Sequence, residues 1–410
     1  MTHTPAAARG TYLERLVINV THDCNMRCAY CFADAGAYGS ERGMLSETTG
    51  RRIIEDFFSR FERIGRIQFF GGEPFLNCRS IEALCGATVE RCERQGVTPP
   101  AFTVITNGTI LNESIIEMIK KYQISVTVSL DGPEALNDSY RVFVGGTGSF
   151  KRVVNNVKIL KTHTGQPFQV EGTFTSRHLE RRFSLAEFLR FLARELGVHF
   201  LHMPWILGNG YNAAGILPTE ENLERLLAVY AEAITGSFHS LRDPAMSETA
   251  VISIVERFVD RCRSGAERTP QRYYCPAGSG TLSVGMDGTV YPCFMFTNVP
   301  AFALTHVEAG DKGELTRNRA AFVKQIERPD DEGTPGEVIS SCAGMNHETH
   351  GRITGISSAE KRVWERLNAH LNDEADAYRR QPETWEWMQT KFLLHRLEML
   401  GVLDSSAACG

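Results

Sequence analysis

Long apolar runs are missing from this 410-residue chain. No stretch approaches the roughly 18 consecutive apolar residues that a membrane span needs. The opening MTHTPAAARGTYLERL has no apolar centre of the kind a secretory signal carries. Long basic runs are missing as well, and the formal net charge is −5. Nothing therefore indicates nucleic acid or an anionic membrane surface as a partner. Internal repeats and low-complexity segments are also absent, which excludes solenoids and arrays. These absences predict a cytoplasmic globular protein.

What is present fits that class. Apolar residues make up 42% of the chain and charged residues 23%. Such a composition buries a core without disulfide staples. The length suits two or three domains at about 150 residues each. Cysteine is plentiful, with 11 copies. In a reducing compartment these are free thiols or metal ligands more readily than disulfides.

The first half alternates two periodicities. Short β-branched runs predict strands at 15–21 (RLVINVT), 66–70, 102–106, 124–130, 168–175 and 198–205. Between them lie stretches with helical spacing. ETTGRRIIEDFFSRF puts Ile53, Ile54, Phe57, Phe58 and Phe61 on one face. Others run near 80–94, 112–121, 149–161 and 183–196. Six strand–helix alternations over 12–215 predict an α/β fold with a parallel sheet wound as a full or partial barrel, the partial form being a (β/α)6 TIM barrel. Chemistry in such barrels sits at the C-terminal edge of the strands.

The pattern changes after about residue 206. A helical linker is expected at 216–260, then a small α+β domain at 261–357. Within it, TLSV and TVYP flank Asp287-Gly288, a type I′ hairpin signal. The surrounding segment has a cysteine on each side, Cys275 and Cys293. Residues 308–340 are charged and rich in Gly and Pro, and one short helix is expected there. A helical tail follows at 358–410, broken near Pro382.

Three cysteines stand within CNMRCAYC, directly after the first strand: Cys24, Cys28 and Cys31. That puts them on the first loop of the catalytic edge. Three thiolates do not complete a tetrahedral zinc site. On a four-iron cluster they leave one iron open, as a catalytic metal site requires. The bland alternative is small buried residues in a loop. Cys78, Cys85 and Cys92 recur every seven residues on a predicted helix. Neighbours there are roughly 10 Å apart along the axis, too far to share a disulfide or cluster. They read as small apolar residues on a buried face.

C-x3-C-x2-C with Tyr30 before the last cysteine resembles the signature of radical S-adenosylmethionine (radical SAM) enzymes. Gly71-Gly72-Glu73-Pro74 after the second strand, ITNGT (105–109), SLDGP (129–133) and Arg141 stand in matching positions. The resemblance covers roughly 12–205. It implies a [4Fe–4S] cluster on Cys24, Cys28 and Cys31 that binds SAM through its open iron. Gly71 and Gly72 would let the backbone approach the ligand. Glu73 or a nearby carbonyl would accept hydrogen bonds from the methionine ammonium. Ser129 and Arg141 would hold the methionine carboxylate, and Arg suits a bidentate grip. Asn107 and Asp131 would reach the ribose or order the loops, and Asp131-Gly132-Pro133 also reads as a plain turn.

Cys275-x12-Gly288-x4-Cys293 resembles the start of a SPASM or twitch extension, which carries auxiliary iron–sulfur clusters. Two full clusters do not fit the remaining cysteines. One auxiliary cluster on Cys275, Cys293 and Cys342 is expected, its fourth ligand being Cys262, Cys409, His347 or His350, or absent. His347-Glu348-Thr349-His350 departs from the zinc-binding HExxH spacing, so a polar loop reads as well as ligation.

The local motifs are similar to those of maturases of ribosomally made peptides, including those that form thioether crosslinks. A peptide substrate, oxidatively crosslinked, is therefore expected, with a flavodoxin or ferredoxin-type electron donor. The alternative is a dehydrogenase or isomerase of a small molecule such as an aminoglycoside or sugar. Sulfatase-maturing relatives carry Asp after the cysteine of YPC, where this chain has Phe294. Only 23 residues precede Cys24. Leader recognition would then lie in the barrel and tail, or in a separate partner, or be dispensed with. Trp205, Tyr211, Trp385 and Trp387 read equally as core or channel residues.

Overall fold

The computed structural model describes residues 12–399 except 209–213, 244–247, 266–271, 312, 329–336 and 339–340. A ten-stranded sheet runs through these residues in the order β10-β9-β8-β1-β2-β3-β4-β5-β6-β7. The strands are β1 (Tyr12–Thr21), β2 (Arg63–Gly71), β3 (Ala101–Thr106), β4 (Ser125–Ser129), β5 (Gln169–Glu171), β6 (Phe200–His202), β7 (Val251–Ile252), β8 (Thr281–Val284), β9 (Thr289–Tyr291) and β10 (Thr305–His306). All pairs from β8 through β1 to β7 are parallel, while β8–β9 and β9–β10 are antiparallel. The linear order leaves the barrel open, a partial α/β barrel with further C-terminal elements.

The six expected strands are present, but the sheet is wider than the sequence pattern implied. The linker at 216–260 is not helical throughout. Between helices Glu220–Arg242 and Ser253–Ser264 it contributes β7, which pairs with β6. At the other side, β8 lies parallel to β1, with Arg15 opposite Thr281 and Ile18 opposite Val284. The hairpin thus extends the barrel sheet, with Cys275 ahead of β8 and Cys293 just after β9, both at the end away from the hairpin turn. β1 is flanked by strands on both sides, and Leu16 to Val20 are fully buried, Asn19 included.

Helix Glu47–Arg60 shows how the crossovers form. Ser46 caps it by accepting from the Thr49 amide, and Ile53, Ile54, Phe57 and Phe58 are buried, with Phe61 at the C-cap. Each such side chain contributes about 1.5–3 kcal/mol on burial. The helix Cys78–Gln95 packs beside it. Cys85 and Cys92 are fully buried there, and Cys78 donates to the Phe75 carbonyl at 3.1 Å. Two tail helices, Ser358–Arg379 and Pro382–Met399, meet at the expected break. No described helix is long and apolar enough to cross a membrane.

Candidate functional site: two cysteine sets on one cavity

The loop after β1 is welded to the loop after β2. Gly72 donates to the Thr21 carbonyl at 3.0 Å and Glu73 to the Asp23 carbonyl at 2.8 Å. A Cβ on Gly71 would sit 2.3 Å from the Thr21 oxygen, and one on Gly72 would sit 2.0 Å from the Asp23 oxygen. Gly71 also needs its φ of +136°. Both glycines line the cavity described below, but the close approach they permit is to the cysteine loop itself. Within that loop, Asp23 Oδ1 accepts from the Cys24 amide at 2.8 Å, and Arg27 Nη1 donates to the Cys24 carbonyl at 2.9 Å.

Glu73 departs from the sequence expectation. It is completely buried and accepts from Thr106 Oγ1 (2.7 Å), the Asn107 amide (2.7 Å) and the Phe75 amide (3.0 Å). Burial raises its pKa even though these donors oppose the shift. It does not line the cavity and ties the ends of β2 and β3 together. Pro74 is likewise buried off the cavity, opening a short 3-10 turn at 74–77.

Asn107 reaches the cysteine loop. Its Nδ2 donates to Asn25 Oδ1 at 2.9 Å and lies 3.8 Å from Cys24 Sγ. On the far side, Tyr30 donates to Asp131 Oδ2, and Arg141 Nη1 donates to the Tyr30 hydroxyl at 3.0 Å. Asp131 Oδ1 accepts from the Thr173 amide at 3.0 Å, and the His178 ring holds its carbonyl at 2.8 Å. Asp131 is buried off the cavity, so its contacts order the loops, whereas Tyr30, Asn107, Ser129 and Arg141 line the cavity. Arg141 is 6% exposed, and its Nε is buried with no hydrogen-bond partner. Asp131 acts on this guanidinium through Tyr30, and among the described residues no carboxylate pairs with it directly. Burial, opposed by Arg141, pushes the Cys28 thiol up to about 11; burial and Glu73 push Cys24 up to about 12. These thiols need a bound cationic centre to become thiolates near neutral pH.

The second cysteine set assembles from three segments. β8 and β9 form the expected hairpin, but the turn is not type I′. That turn needs positive φ at both central residues, and of the pair only Gly288 has it, at +93°. The loop spans 285–288, closed by Gly288 donating to Gly285 at 3.0 Å and Gly285 to Thr289 at 2.9 Å. Cys342 caps helix Ala343–His350. That helix presses on the turn after Cys293: a Cβ on Gly344 would lie 2.3 Å from Met295 Cβ. Cys342 is pushed up to about 12 by burial, then by Cys293 and Cys275, and Cys293 to about 11 by burial, with Cys275 adding. The three sulfurs thus share one electrostatic neighbourhood, and the Ala343 amide faces Cys275.

The candidates for a fourth ligand are elsewhere engaged or outside the described residues. Cys262 accepts from Arg379 Nη2 at 3.4 Å. His347 packs edge-on against Phe302, centroids 4.8 Å apart. The His350 side chain and Cys409 lie outside the described residues. Among the described residues no three His, Cys, Asp or Glu side chains are grouped to hold a single metal ion. Thiols spread around a polynuclear cluster, each meeting its own iron, do not require that grouping.

A cavity of about 690 Å³ is lined by all three cysteines of the first set and, of the second, by Cys342. Cys24, Cys28 and Cys31 line one end, and Cys342 and Met295 another. Phe32, Phe70 and Phe294 form an aromatic wall, with Phe70 and Phe294 centroids 4.5 Å apart. Trp205 also lines it, 4.9 Å from both Tyr230 and Trp364. Trp385 packs against Arg379, Trp387 is 39% exposed, and Tyr211 lies outside the described residues.

Sequence reasoning missed Glu171 and His202. They are the last residues of β5 and β6, in register with each other and with Ser129. A polar residue ending each of three adjacent parallel strands was a signal available in the sequence. Burial pushes Glu171 up to about 7 from 4.5, against the pull of Arg15 and Arg141. The native state therefore binds the proton more tightly than the unfolded chain, and stability falls as pH rises between those values. Glu171→Gln, which cannot ionise, is expected to raise the melting temperature at pH 8 by a few degrees and change it little at pH 4. Melts at both pH values measure this; equal shifts would deny the ionisation.

Fold and site together define a partial-barrel enzyme built around a three-cysteine loop. Residues 18–176 match the radical SAM superfamily, and the chain is a radical SAM enzyme. Among curated relatives, a cysteine-type anaerobic sulfatase-maturating enzyme of Clostridium novyi (strain NT) is 28% identical over 191 residues, 44% of this chain and 50% of that protein. The chain thus spans half the length of that relative. The solved structure of native anSMEcpe with bound AdoMet and Cp18Cys peptide superposes with a TM-score of 0.67 at 17% identity, covering 89% of this chain and 99% of that one. Its likeness extends through the C-terminal elements. Streptococcus suis SuiB bound to precursor peptide SuiA gives 0.51 at 18% identity, covering 74% and 65%. At these identities the likeness is one of fold.

Proposed function

We propose that this enzyme cleaves SAM reductively and uses the resulting radical to modify a ribosomally made peptide oxidatively, by a thioether, carbon–carbon or carbon–oxygen crosslink. The observation that supports it most is Arg141, which lines the same cavity as the Cys24, Cys28 and Cys31 loop and whose Nε has no hydrogen-bond partner. Three thiols and a buried guanidinium suit a cluster with an open iron and the carboxylate of a bound methionine group. When bound there, the [4Fe–4S] cluster and SAM supply an electron and a 5′-deoxyadenosyl radical that removes a hydrogen atom from the substrate.

The chain's own residues then have defined tasks. Arg141 and Ser129 orient the carboxylate. Tyr30, held by Asp131, fixes the guanidinium. Asn107 braces the loop at Cys24. Phe32, Phe70 and Phe294 exclude water from the path between the cysteine sets, which protects a radical from quenching. Cys275, Cys293 and Cys342 would hold one auxiliary cluster, which would supply the acceptor for the substrate radical's electron while the second hydrogen leaves as a proton; a flavodoxin or ferredoxin-type donor would supply the electron for SAM cleavage. That SuiB and anSMEcpe were solved with peptides supports a peptide substrate. Phe294, packed on Phe70, offers no carboxylate for sulfatase-type chemistry.

Anaerobically reconstituted, reduced protein is expected to form 5′-deoxyadenosine from SAM, and its peptide substrate to lose a hydrogen pair per crosslink. Chromatography and mass spectrometry read the two; absence of 5′-deoxyadenosine sinks the reading. Arg141→Leu is expected to weaken SAM binding roughly tenfold or more in equilibrium dialysis, with Arg141→Lys intermediate. Unchanged binding in Arg141→Leu would remove Arg141 from the site.

A further inference from the structure

The cavity has a second, partly buried guanidinium, that of Arg257. Arg257 lies in helix Ser253–Ser264, directly after β7, and lines the cavity with His202 and Ser253. Its Nε is buried with no hydrogen-bond partner. Among the described residues it forms no ion pair, and the one acidic group acting on it is Glu256, its chain neighbour. Glu171, in register with His202, is a carboxyl on the same cavity, and the charges of the C-terminal segment there are committed. Glu360 closes a capping box with Ser357, and Arg362 lies 3.6 Å from Glu220.

The surroundings prepare Arg257 for a ligand. Trp364 lies beneath the guanidinium, 5.9 Å from ring centroid to Cζ, and is itself braced by Trp205 at 4.9 Å. Such a platform limits the rotamers that binding would have to freeze. Beside it, His202 Nδ1 pairs with Ser253 Oγ at 2.8 Å, which fixes that hydroxyl. The local field is positive: Arg257 and Arg15, after burial, hold the His202 ring down to about 4. Arg15 donates to Thr281 at 3.1 Å and Gln68 at 3.4 Å, and among the described residues Glu171 is a carboxyl that feels its charge. A partly buried cation with an unpartnered Nε on a cavity wall favours an anion there. One guanidinium and one hydroxyl match a carboxylate; a phosphate dianion asks for more donors.

We propose that Arg257, with Ser253, anchors a carboxylate of the substrate, so that the molecule modified is an acidic one: a peptide held by an Asp or Glu side chain or by its C-terminal carboxylate. This rests on the reading of the cavity as the chamber where substrate meets SAM, and it adds the chemical class that the chamber selects. Arg257 here is a specificity-determining residue at the end of the cavity lined by β6 and the helix after β7.

The test uses reconstituted protein, immobilised with SAM present, and three pools of short N-acetylated peptides. One pool is amidated with a central Asp. One has a free C-terminus and no Asp or Glu. The third is amidated with a central Asn. Wild type is expected to retain at least one acidic pool roughly tenfold over the Asn pool, and the pool chosen tells side chain from C-terminus. Arg257→Met is expected to lose this ratio, and Arg257→Lys to keep part of it. Equal retention of all three pools by wild type overturns the proposal, as does an acid preference that survives Arg257→Met. Should Arg257→Met fail to melt cooperatively, Arg257→Lys and Ser253→Ala carry the test, and an unchanged ratio in both is equally fatal. SAM binding is counted on the same wild-type support. SAM bound without acid preference removes only this inference. Acid preference lost with Arg257, but no SAM bound, removes the functional reading and leaves the anchor standing.

Discussion

Replacing Cys24, Cys28 and Cys31 together by alanine is expected to abolish 5′-deoxyadenosine formation while leaving about half of the bound iron. Wild type should carry about eight irons per chain, and the triple variant about four, if each cysteine set holds one four-iron cluster. The three thiols share one loop and one end of the cavity, whereas Cys275, Cys293 and Cys342 come from other segments with their own braces. Loss of the first set should leave the second intact. The single Cys28→Ala change should also bring SAM cleavage to background, since three thiols are the whole donor set there. Iron and sulfide counting with chromatography of SAM products decides it. About eight irons in the variant would show that the second region binds more than one cluster. None would show that it binds no cluster. SAM cleavage by Cys28→Ala would sink the assignment of the first set.

Much of this site lies in local sequence, because local spacing determines a loop. Cys24, Cys28 and Cys31 follow β1 directly, so their position at the catalytic edge came with the strand. The helix face built from Ile53, Ile54, Phe57 and Phe58 was equally readable, since the 3.6-residue period is local. What could not be read is non-local. β7 is a two-residue strand that exists through its pairing with β6. β8 joins β1 across more than half of the chain, and no periodicity announces a partner at that separation. Arg257 was invisible for another reason. A charged residue in an amphipathic helix normally marks the solvated face, and only the tertiary arrangement turns that face toward a cavity.

Glu73 and the two glycines before it show how a recognised motif can be read too simply. The motif suggested contacts to a ligand, whereas the contacts here are mostly to protein. Glu73 spends both carboxylate oxygens on Thr106, Asn107 and Phe75. These bonds join the ends of β2 and β3, and Asn107 in turn holds Cys24. The motif therefore acts on the cysteine loop through position. A residue that never touches a ligand can be as indispensable as one that does, provided the atoms it places are the reacting ones.

The second large effect follows from that architecture and is expected for Gly72→Ala. The φ of Gly72 is not positive, so alanine pays no conformational penalty of the left-handed kind. The obstacle is contact. The new methyl carbon would lie 2.0 Å from the Asp23 oxygen, 2.5 Å from the Asp23 carbonyl carbon and 3.0 Å from Gly36 Cα. All three are backbone atoms, so no side-chain rotation relieves the overlap, and the two loops must part. Parting them stretches the Gly72–Thr21 and Glu73–Asp23 hydrogen bonds and displaces the cysteine beside Asp23. Overpacking of this kind costs about 1–3 kcal/mol or more. A displacement near 1 Å at the cysteines costs roughly a hundredfold in rate. Gly72→Ala should thus form 5′-deoxyadenosine at least about a hundredfold more slowly. It should still bind auxiliary iron, because Gly344 and the segments around Cys342 are untouched. Gly310→Ala is the control, with nothing within 4 Å of the added carbon. It should melt and react like wild type. A Gly72→Ala protein with wild-type rate would show that the loops separate without moving the thiols, and the motif would then have to act on the ligand directly.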